Sequence, residues 1–293
     1  MGDIYGAIIG DIAGSYHEVL ELNWFDTKTI DTKRREEILN KQTSLFTDKS
    51  SFTDDSILTC AVAQAILTGD DYEKYILEFG LKESNLGVDL YGRSKFGSGF
   101  LNWLQGQRDY KSYGNGCAMR ISPVGYAFDT LEETLTEAEK SIICTHGGED
   151  AIACGKAVAG CVYLARNGCD KSEIKSFAEN LMGVSLDYDL DDLRKNYRFF
   201  VKAINSVPQA IACFLAGNDF EDVLRKSISI GGDSDTIASI ACGIAGAMYE
   251  ISKEIKDSAK KYMSDDYIKI LDSFNNMYVK GRQCDAEENN SIR

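Results

Sequence analysis

Apolar and small residues recur at helical spacing along most of this chain, and no stretch alternates with the two-residue period of a β-strand. Residues 54–67 carry one apolar stripe, and residues 147–168 form a second helical pattern that is rich in Ala and Gly. The pattern at 235–251 is apolar almost all round, which predicts a central helix. Further helices are predicted at 72–82, 94–105, 131–143, 171–181, 191–204, 208–216, 219–226 and 266–279. The sequence therefore predicts an all-α fold.

The chain of 293 residues contains only two prolines, Pro123 and Pro208, and no linker rich in Pro, Gly and Ser divides it. We therefore expect a single domain over residues 1–280, followed by a flexible C-terminal tail at 281–293. Residues 21–51 are polar and irregular, which is typical of a surface excursion from a helical core.

The balance of 32 basic against 46 acidic side chains gives a net charge of −14. This charge disfavours a nucleic-acid partner, because phosphate backbones need a basic surface. No apolar run reaches transmembrane length, and the first residues include acidic side chains where a signal peptide needs basic ones. The nine cysteines form no C-x-x-C pair, so we expect reduced thiols. These features predict a cytoplasmic protein without a membrane partner, and a monomer is the default expectation.

Two acidic clusters open helices that are predicted to be buried. Their polar members are Thr53, Asp54 and Asp55 in the string FTDDS, and Asp233, Asp235 and Thr236 in the string GGDSDT. N-capping, which stabilises a helix by about 1 kcal/mol, explains one such cluster. Two clusters at buried helix starts favour a shared site instead. Carboxylates that share a small volume raise each other's pKa unless a cation neutralises them.

Carboxylate and hydroxyl oxygens are hard ligands, which suit Mg²⁺ or Mn²⁺ and, less well, Ca²⁺. Zinc is disfavoured because His17 and His146 are the only histidines and the cysteines lack ligand spacing. If the two helix starts converge, the number of ligands fits two cations a few ångströms apart. A dinuclear metal site at converging helix N-termini is therefore one interpretation of the two clusters, and the spacing alone leaves the convergence open.

The string KSYGNGCAMR, residues 111–120, places two glycines around Asn115. Glycines let a loop present its backbone amides to a phosphate without help from Lys or Arg. A simple tight turn is the alternative interpretation. The string CTHGGED sets His146 just before a helix start, where a purely structural histidine is the alternative.

The first predicted helix contains the string IIGDIAGSYHE, which offers Asp11 and Glu18 together with Gly10 and Gly14 at helical spacing. Glycines at this spacing let two helix axes approach closely. The alternative for this string is a glycine-packed helix that ends in a solvated glutamate.

Taken in order from GAIIGDIAGSYHE to GGDSDTIASIACGIAGAMY, these strings resemble the ADP-ribosylglycohydrolase family, which includes the dinitrogenase reductase-activating glycohydrolase. The resemblance runs from residue 6 to about residue 250 and implies an orthogonal helical bundle that holds two Mg²⁺ or Mn²⁺ ions. The metal ligands that it implies are Thr53, Asp54, Asp55, Asp233, Asp235 and Thr236. The substrate-binding residues that it implies are Phe96, Gly97, Gly99, Ser112, Tyr113, Gly114, Asn115, Gly116 and His146.

The activity that the resemblance implies is hydrolysis of the bond between C1″ of ADP-ribose and a nitrogen or oxygen of an acceptor. The substrate would be an ADP-ribosylated protein or a small ADP-ribose conjugate. Breaking this bond develops positive charge on the ribose. We expect one cation to hold the ribose hydroxyls and the pair to acidify a water near C1″. Glu18, Asp55 or Asp235 would accept the water's proton, and the acid that protonates the leaving group stays unassigned.

Cys117, the string THGGED and His17 depart from the family pattern, and the first two leave the acceptor group open. Two alternatives keep the same fold: a non-catalytic ADP-ribose binder or crystallin-like structural protein, and a hydrolase of another nucleotide-ribose conjugate. A third alternative takes DSDT as the nucleophile motif of haloacid-dehalogenase-type phosphatases. That motif follows a buried strand near the start of a Rossmann-like domain, whereas here it begins at residue 233.

Overall fold

The computed structural model describes residues 2–21, 30–85, 94–109 and 111–280. Helices dominate these ranges, and none of their residues joins a β-strand or sheet. The predicted all-α class is therefore confirmed. The predicted tail at 281–293 lies outside the described residues and stays a prediction.

The described residues form a series of α-helices joined by short loops. Their bounds are α1 Tyr5–Glu21, α2 Thr32–Glu37, α3 Asp54–Thr68, α4 Tyr72–Ser84, α5 Ser98–Leu104, α6 Gly116–Met119, α7 Ser122–Ala127, α8 Leu131–Ile143, α9 Glu149–Arg166, α10 Lys171–Met182, α11 Leu190–Asn196, α12 Val207–Ala216, α13 Phe220–Ser229, α14 Ser234–Met248, α15 Lys253–Lys260 and α16 Asp265–Phe274. A 3-10 turn covers Ala203–Asn205, and a π-helical segment, Asn275–Lys280, continues α16. Most predicted helices agree with these bounds within a few residues, and α8 has the predicted bounds.

Helix α1 packs closely along α14 because its glycines leave room for the neighbouring backbone. A Cβ atom added to Gly6, Gly10 or Gly14 would collide with backbone atoms of α14. Gly14 lies against the backbone of Ser234 and Asp235 at the beginning of α14. The C-terminal half of α1 is therefore held beside the N-terminus of α14, which carries one of the two acidic clusters.

Helix α14 is the central helix, as its apolar pattern predicts, and its residues from Ser234 to Ala247 are all buried. Helices α1, α9, α12 and α13 surround it. Helix α3 packs against α1 and α7 and is buried from Asp55 to Ala63. Both acidic clusters therefore begin helices that run through the core.

The helix predicted over 191–204 is wrong in its second half. Helix α11 ends at Asn196, and the chain is extended before the 3-10 turn. The buried guanidinium of Arg35 stabilises this break, because its Nη1 donates to the carbonyl oxygens of Arg194 at 2.9 Å and Tyr197 at 3.0 Å. A tertiary contact thus ends a helix that the local pattern would continue.

The region predicted as an irregular surface excursion contains α2 and is fixed to the core by Arg225. This buried arginine of α13 donates to four backbone carbonyls between Ile38 and Thr43, at 2.8 to 3.3 Å. Residues 22–29 of the same region lie outside the described residues. The described part is therefore an ordered segment that hydrogen bonds from Arg225 attach to α13.

None of the helices in the described ranges combines the length and the apolar character needed to cross a bilayer. The cysteines of these ranges are free thiols, and most of them are buried. Burial raises the pKa of several of these thiols, including those of Cys60 and Cys161, so they stay protonated.

Candidate functional site

Asp11 of α1 caps the N-terminus of α3 from outside that helix. Its Oδ2 accepts the backbone N–H groups of Thr53 at 3.1 Å and Ser56 at 3.2 Å, and its Oδ1 accepts the Thr53 hydroxyl at 2.5 Å. Thr53 occupies the N-cap position of α3, yet its side chain makes no capping hydrogen bond. N-capping therefore does not explain the polar residues at this helix start.

The starts of α3 and α14 converge on the C-terminal half of α1. Single carboxylate oxygens of Asp11, Asp55 and Asp235 lie within 4.8 Å of one another. Oxygens of Glu18, Asp233 and Asp235 form a second group within the same distance. Asp235 belongs to both groups, so two clusters of oxygen ligands lie side by side. This convergence meets the condition that a shared site for the two acidic clusters requires.

Burial and mutual repulsion dominate the electrostatics of this cluster. Burial, followed by the charges of neighbouring carboxylates, raises the pKa of Asp54, Asp55 and Asp235 well above the ordinary value. Burial also raises the pKa of Asp11, to about 6, although its hydrogen bonds partly oppose that rise. Among the described residues, no Lys or Arg forms an ion pair with Asp11, Asp55, Asp233 or Asp235.

The carboxylate cluster fits divalent cations on the chemistry of its donors. Oδ1 of Asp55 is buried without a hydrogen-bond partner, whereas Oδ2 accepts the Thr236 hydroxyl at 3.4 Å. A buried carboxylate oxygen without a partner is costly unless a cation or solvent compensates it. Hard oxygen donors in two adjacent groups are the ligands that Mg²⁺ and Mn²⁺ prefer.

The structure separates Asp54 from the other predicted metal ligands. Its half-buried side chain faces the same cavity, but its carboxylate belongs to neither of the two groups. Asp11 belongs to one of them and was not among the predicted ligands. The glycines that flank Asp11 were the signal that could have found it, because Gly10 and Gly14 pack against α14 and set this aspartate between the starts of α3 and α14.

A cavity of about 970 Å³ opens above the carboxylates. All of the predicted site residues line it except Tyr113. The ring of Tyr113 packs over Gly148 at the start of α9, and its side chain is 55% exposed. The backbone carbonyl of Tyr113 accepts the Ala203 amide at 3.0 Å, and the residue does not line the cavity.

The glycine loop forms one wall of the cavity and is joined directly to the acidic cluster. The side-chain amide of Asn115 donates to Oδ2 of Asp233 at 2.7 Å, and both residues are buried. The predicted cradle of backbone amides is only partly available. The Gly114 amide donates to the Ser112 hydroxyl at 3.0 Å, and the Asn115 amide donates to the Val201 carbonyl at 2.8 Å.

The glycine-rich aromatic turn also lines the cavity. Phe96 is buried, and its ring centroid lies 5.0 Å from that of Phe100. The neighbouring Lys95 also lines the cavity, and its Nζ donates to the buried carboxylate of Glu83 at 3.0 Å. Tyr267 donates to the same carboxylate at 2.8 Å, so a polar anchor fixes this turn to α4 and α16.

His146 lies on the cavity wall beside Gly116, at the end of a hydrogen-bonded chain. Its Nδ1 is 2.7 Å from the Thr145 hydroxyl, which accepts from Arg120 at 2.8 Å. Burial and the charges of Arg120 and Lys111 lower the pKa of His146 well below its ordinary value. Sequence reasoning missed Arg120 and Thr145 as site residues, although both stand inside strings that it singled out.

Cys117, which departs from the family pattern, does not line the cavity. Its buried thiol lies behind the glycine loop, 3.3 Å from the Gly114 carbonyl oxygen and 3.2 Å from that of Ala151. Burial raises the pKa of this thiol to about 12, so it is neither a nucleophile nor a ligand at neutral pH.

The sequence profile of the ADP-ribosylglycohydrolase family matches residues 1–281, which is nearly the whole chain. This protein belongs to the ADP-ribosylglycohydrolase family. As a member of that family, it is similar to the human ADP-ribosylhydrolase ARH3, with 24% identity over 333 residues. That match covers 91% of this chain and 90% of ARH3.

Two further similarities accompany the family match. The ADP-ribosylarginine hydrolase Tri1 of Pseudomonas putida strain GB-1 is 25% identical over 177 residues, which covers 58% of this chain and 47% of Tri1. A solved structure titled "ADP-ribosylglycohydrolase-related protein complex" superposes with a TM-score of 0.64 and 20% identity, and covers 95% of this chain and 97% of its own. At that identity, the superposition establishes a shared fold.

Proposed function

We propose that this protein hydrolyses the glycosidic bond between C1″ of ADP-ribose and a nitrogen or oxygen of an acceptor, and releases ADP-ribose. The observation that carries this proposal is the hydrogen bond from the side-chain amide of Asn115, in the glycine loop, to Asp233 of the carboxylate cluster. This hydrogen bond places the glycine loop, which can bind a nucleotide-ribose, directly beside the carboxylates, which can hold cations. Relatives named for ADP-ribosyl hydrolysis, ARH3 and Tri1, support the same reaction class.

We propose that two divalent cations, Mg²⁺ or Mn²⁺, bind at the two carboxylate groups that share Asp235. Asp55, Asp233 and Asp235 would hold them, with Thr53, Thr236 and Asp54 at the edge of the same cluster. When bound, such cations supply Lewis acidity, which orients ribose hydroxyls and lowers the pKa of a water. The unpartnered Oδ1 of Asp55 supports this assignment.

Among the chain's own groups, Glu18 is the best-placed proton acceptor. It lines the cavity, is half-buried, and lies at the edge of the cluster beside Asp233 and Asp235. Asp11 is fully buried and accepts three hydrogen bonds from α3, so it serves to position that helix start rather than to move protons. Asp55 and Asp235 would act as ligands and as a secondary proton relay.

A diphosphate must enter a protein whose net charge is −14. Within the cavity, the positive side chains are Lys95 and the buried Arg120. The Gly116 amide has no acceptor among the described residues, so it is available to a phosphate oxygen. These groups and the bound cations would offset the repulsion.

The decisive experiment measures the release of ADP-ribose from peptides ADP-ribosylated on arginine, from peptides ADP-ribosylated on serine, and from ADP-ribosylated nucleic acid. Each substrate is incubated with Mg²⁺, with Mn²⁺ and with a chelator, and the Asp235→Asn variant serves as the matched control. Release that needs a divalent cation and the intact Asp235 would establish the reaction and its acceptor. Tight ADP-ribose binding without release from any substrate would favour the non-catalytic binder or a hydrolase of another nucleotide-ribose conjugate.

A further inference from the structure

Arg120 is a fully buried cation that forms no ion pair among the described residues. Both hydrogens of its Nη2 are used: one goes to the Ser141 carbonyl oxygen at 3.0 Å and the other to the Thr145 hydroxyl at 2.8 Å. Its Nε and Nη1 are buried without a partner. Burying an unpaired guanidinium lowers the stability of the folded state, so packing alone does not explain why Arg120 lies here.

The hydrogen bonds of Thr145 show which atoms donate and which accept between Arg120, Thr145 and His146. A guanidinium can only donate, so the Thr145 oxygen accepts from Arg120. The hydroxyl proton then needs an acceptor, and His146 Nδ1, at 2.7 Å, is the acceptor within reach among the described residues. If Nδ1 carried a proton instead, that oxygen would accept twice and its own buried hydrogen would have no partner.

We propose that Arg120 and Thr145 act as positioning residues that fix His146 as the neutral tautomer with its proton on Nε2. That N–H then faces the cavity beside Gly116 and donates a hydrogen bond to an anionic oxygen of the substrate. This inference rests on the proposed function for the identity of the substrate. Its central claim, the position of the proton on His146, can be measured without any substrate.

The surroundings of His146 agree with a neutral donor. Burial, the charge of Arg120 and the charge of Lys111 all lower the pKa of His146. A positive imidazolium would also donate from Nδ1, and the Thr145 hydroxyl would then have to give up its role as donor. The buried arginine therefore has two effects: it orders the hydroxyl and it disfavours a second proton on the ring.

The test uses nitrogen NMR of the full chain with ¹⁵N-labelled histidine. The chain contains only His17 and His146, so a His17→Gln variant assigns the signals of His146. We expect a protonated, pyrrole-type Nε2 and an unprotonated, pyridine-type Nδ1. A protonated Nδ1 in the wild-type protein would overturn the proposal.

Two substitutions at Thr145 separate positioning from packing. Thr145→Val keeps the shape but removes the hydroxyl, so we expect a mixture of tautomers or a shift toward the Nδ1–H form. Thr145→Ser keeps the hydroxyl, and we expect it to retain the wild-type tautomer. An unchanged tautomer in a folded Thr145→Val variant would show that the hydrogen-bonded chain does not fix the proton.

Calorimetric binding of ADP-ribose in the presence of Mg²⁺ supplies the functional readout. We expect Thr145→Val to weaken binding about tenfold, with Thr145→Ser near wild type, because one hydrogen bond to a charged oxygen is lost. Equal affinity in all three proteins would overturn the role of His146 as a substrate donor. Failure of the wild type to bind ADP-ribose would overturn the proposed function instead, while the tautomer measurement would still decide the positioning role.

Discussion

At the surface, Asp71, Asp170 and Asp219 each precede a helix, are exposed to solvent, and accept hydrogen bonds from amides of the first turn at 2.8 to 2.9 Å. In the centre, Thr53 and Asp233 occupy the same position before α3 and α14, and neither side chain caps its own helix. The same residue types therefore serve two purposes. Surface caps stabilise a helix, whereas the central residues face a cavity.

The central helix starts can dispense with their own caps because other residues satisfy their amides. Asp11 of α1 accepts two amides of α3, and Asp235 accepts the Thr236 amide within α14 at 2.8 Å. This arrangement leaves Asp233 free to accept from Asn115. At these two helix starts, the polar N-cap residues do not cap their own helices and line the cavity instead.

The largest difference is expected between the effects on activity of substituting a central and a surface helix-start residue. Asp235→Asn should lower kcat/KM more than about a hundredfold with either Mg²⁺ or Mn²⁺, because Asp235 belongs to both ligand groups. The matched surface change, Asp170→Asn, keeps a capping oxygen and should leave kcat/KM unchanged. Initial rates with saturating cation check this, and normal cation affinity with full turnover in a folded Asp235→Asn variant would contradict it.

The second comparison concerns stability at Asp11. Asp11→Ala leaves two amides and a hydroxyl of the α3 start without their acceptor. With Mg²⁺ in excess, we expect the free energy of unfolding to fall by about 2 to 4 kcal/mol. Asp11→Asn retains one acceptor oxygen and should lose less. Urea denaturation of the three proteins measures the difference, and equal stability of Asp11→Ala and the wild type would rule out the capping role.

The third comparison uses pH and cations. Burial raises the pKa of Asp11 from 3.8 to about 6, so the folded chain without cations holds a proton that the unfolded chain releases. This stabilising contribution is complete below the unfolded pKa and is lost as pH rises through the folded pKa. Because Asp11 shares a ligand group with Asp55 and Asp235, a cation bound there competes with this proton. We therefore expect Mn²⁺ to raise the melting temperature more at about pH 8 than at about pH 5.5.

Thermal unfolding with Mn²⁺ or with a chelator at the two pH values measures that difference. The Asp235→Asn variant is the control, because it should lose most of the stabilisation by the cation at both pH values. A cation effect that is equal at both pH values would show that protons and cations do not share the buried carboxylates.

The smallest effect is expected for a surface cap by itself. Asp170→Ala removes the acceptor of the Glu173 amide and breaks the capping box of α10. We expect a loss of about 1 kcal/mol in the free energy of unfolding and unchanged turnover. Chemical denaturation and initial rates check both values, and a clear loss of activity would remove the distinction between the surface and central helix starts.

Features that depend on neighbours a few positions away could be predicted from the sequence alone. The apolar period of residues 131–143 predicts α8, and the all-round apolar pattern at 235–251 predicts the buried α14. The two acidic strings and the glycine loop were also found from the sequence, because their residue types are unusual for buried helix starts and tight turns.

How these helices and loops meet depends on contacts between residues that are distant in the sequence. Gly14 against the backbone of α14 brings Asp11 into the carboxylate cluster, and Arg35 ends the helix that the local pattern would have continued past Asn196. Arg120, which follows α6, donates to the Thr145 hydroxyl after α8, and this hydroxyl is hydrogen-bonded to His146. Contacts between residues this far apart depend on how helices pack, and short-range periodicity carries no information about that packing.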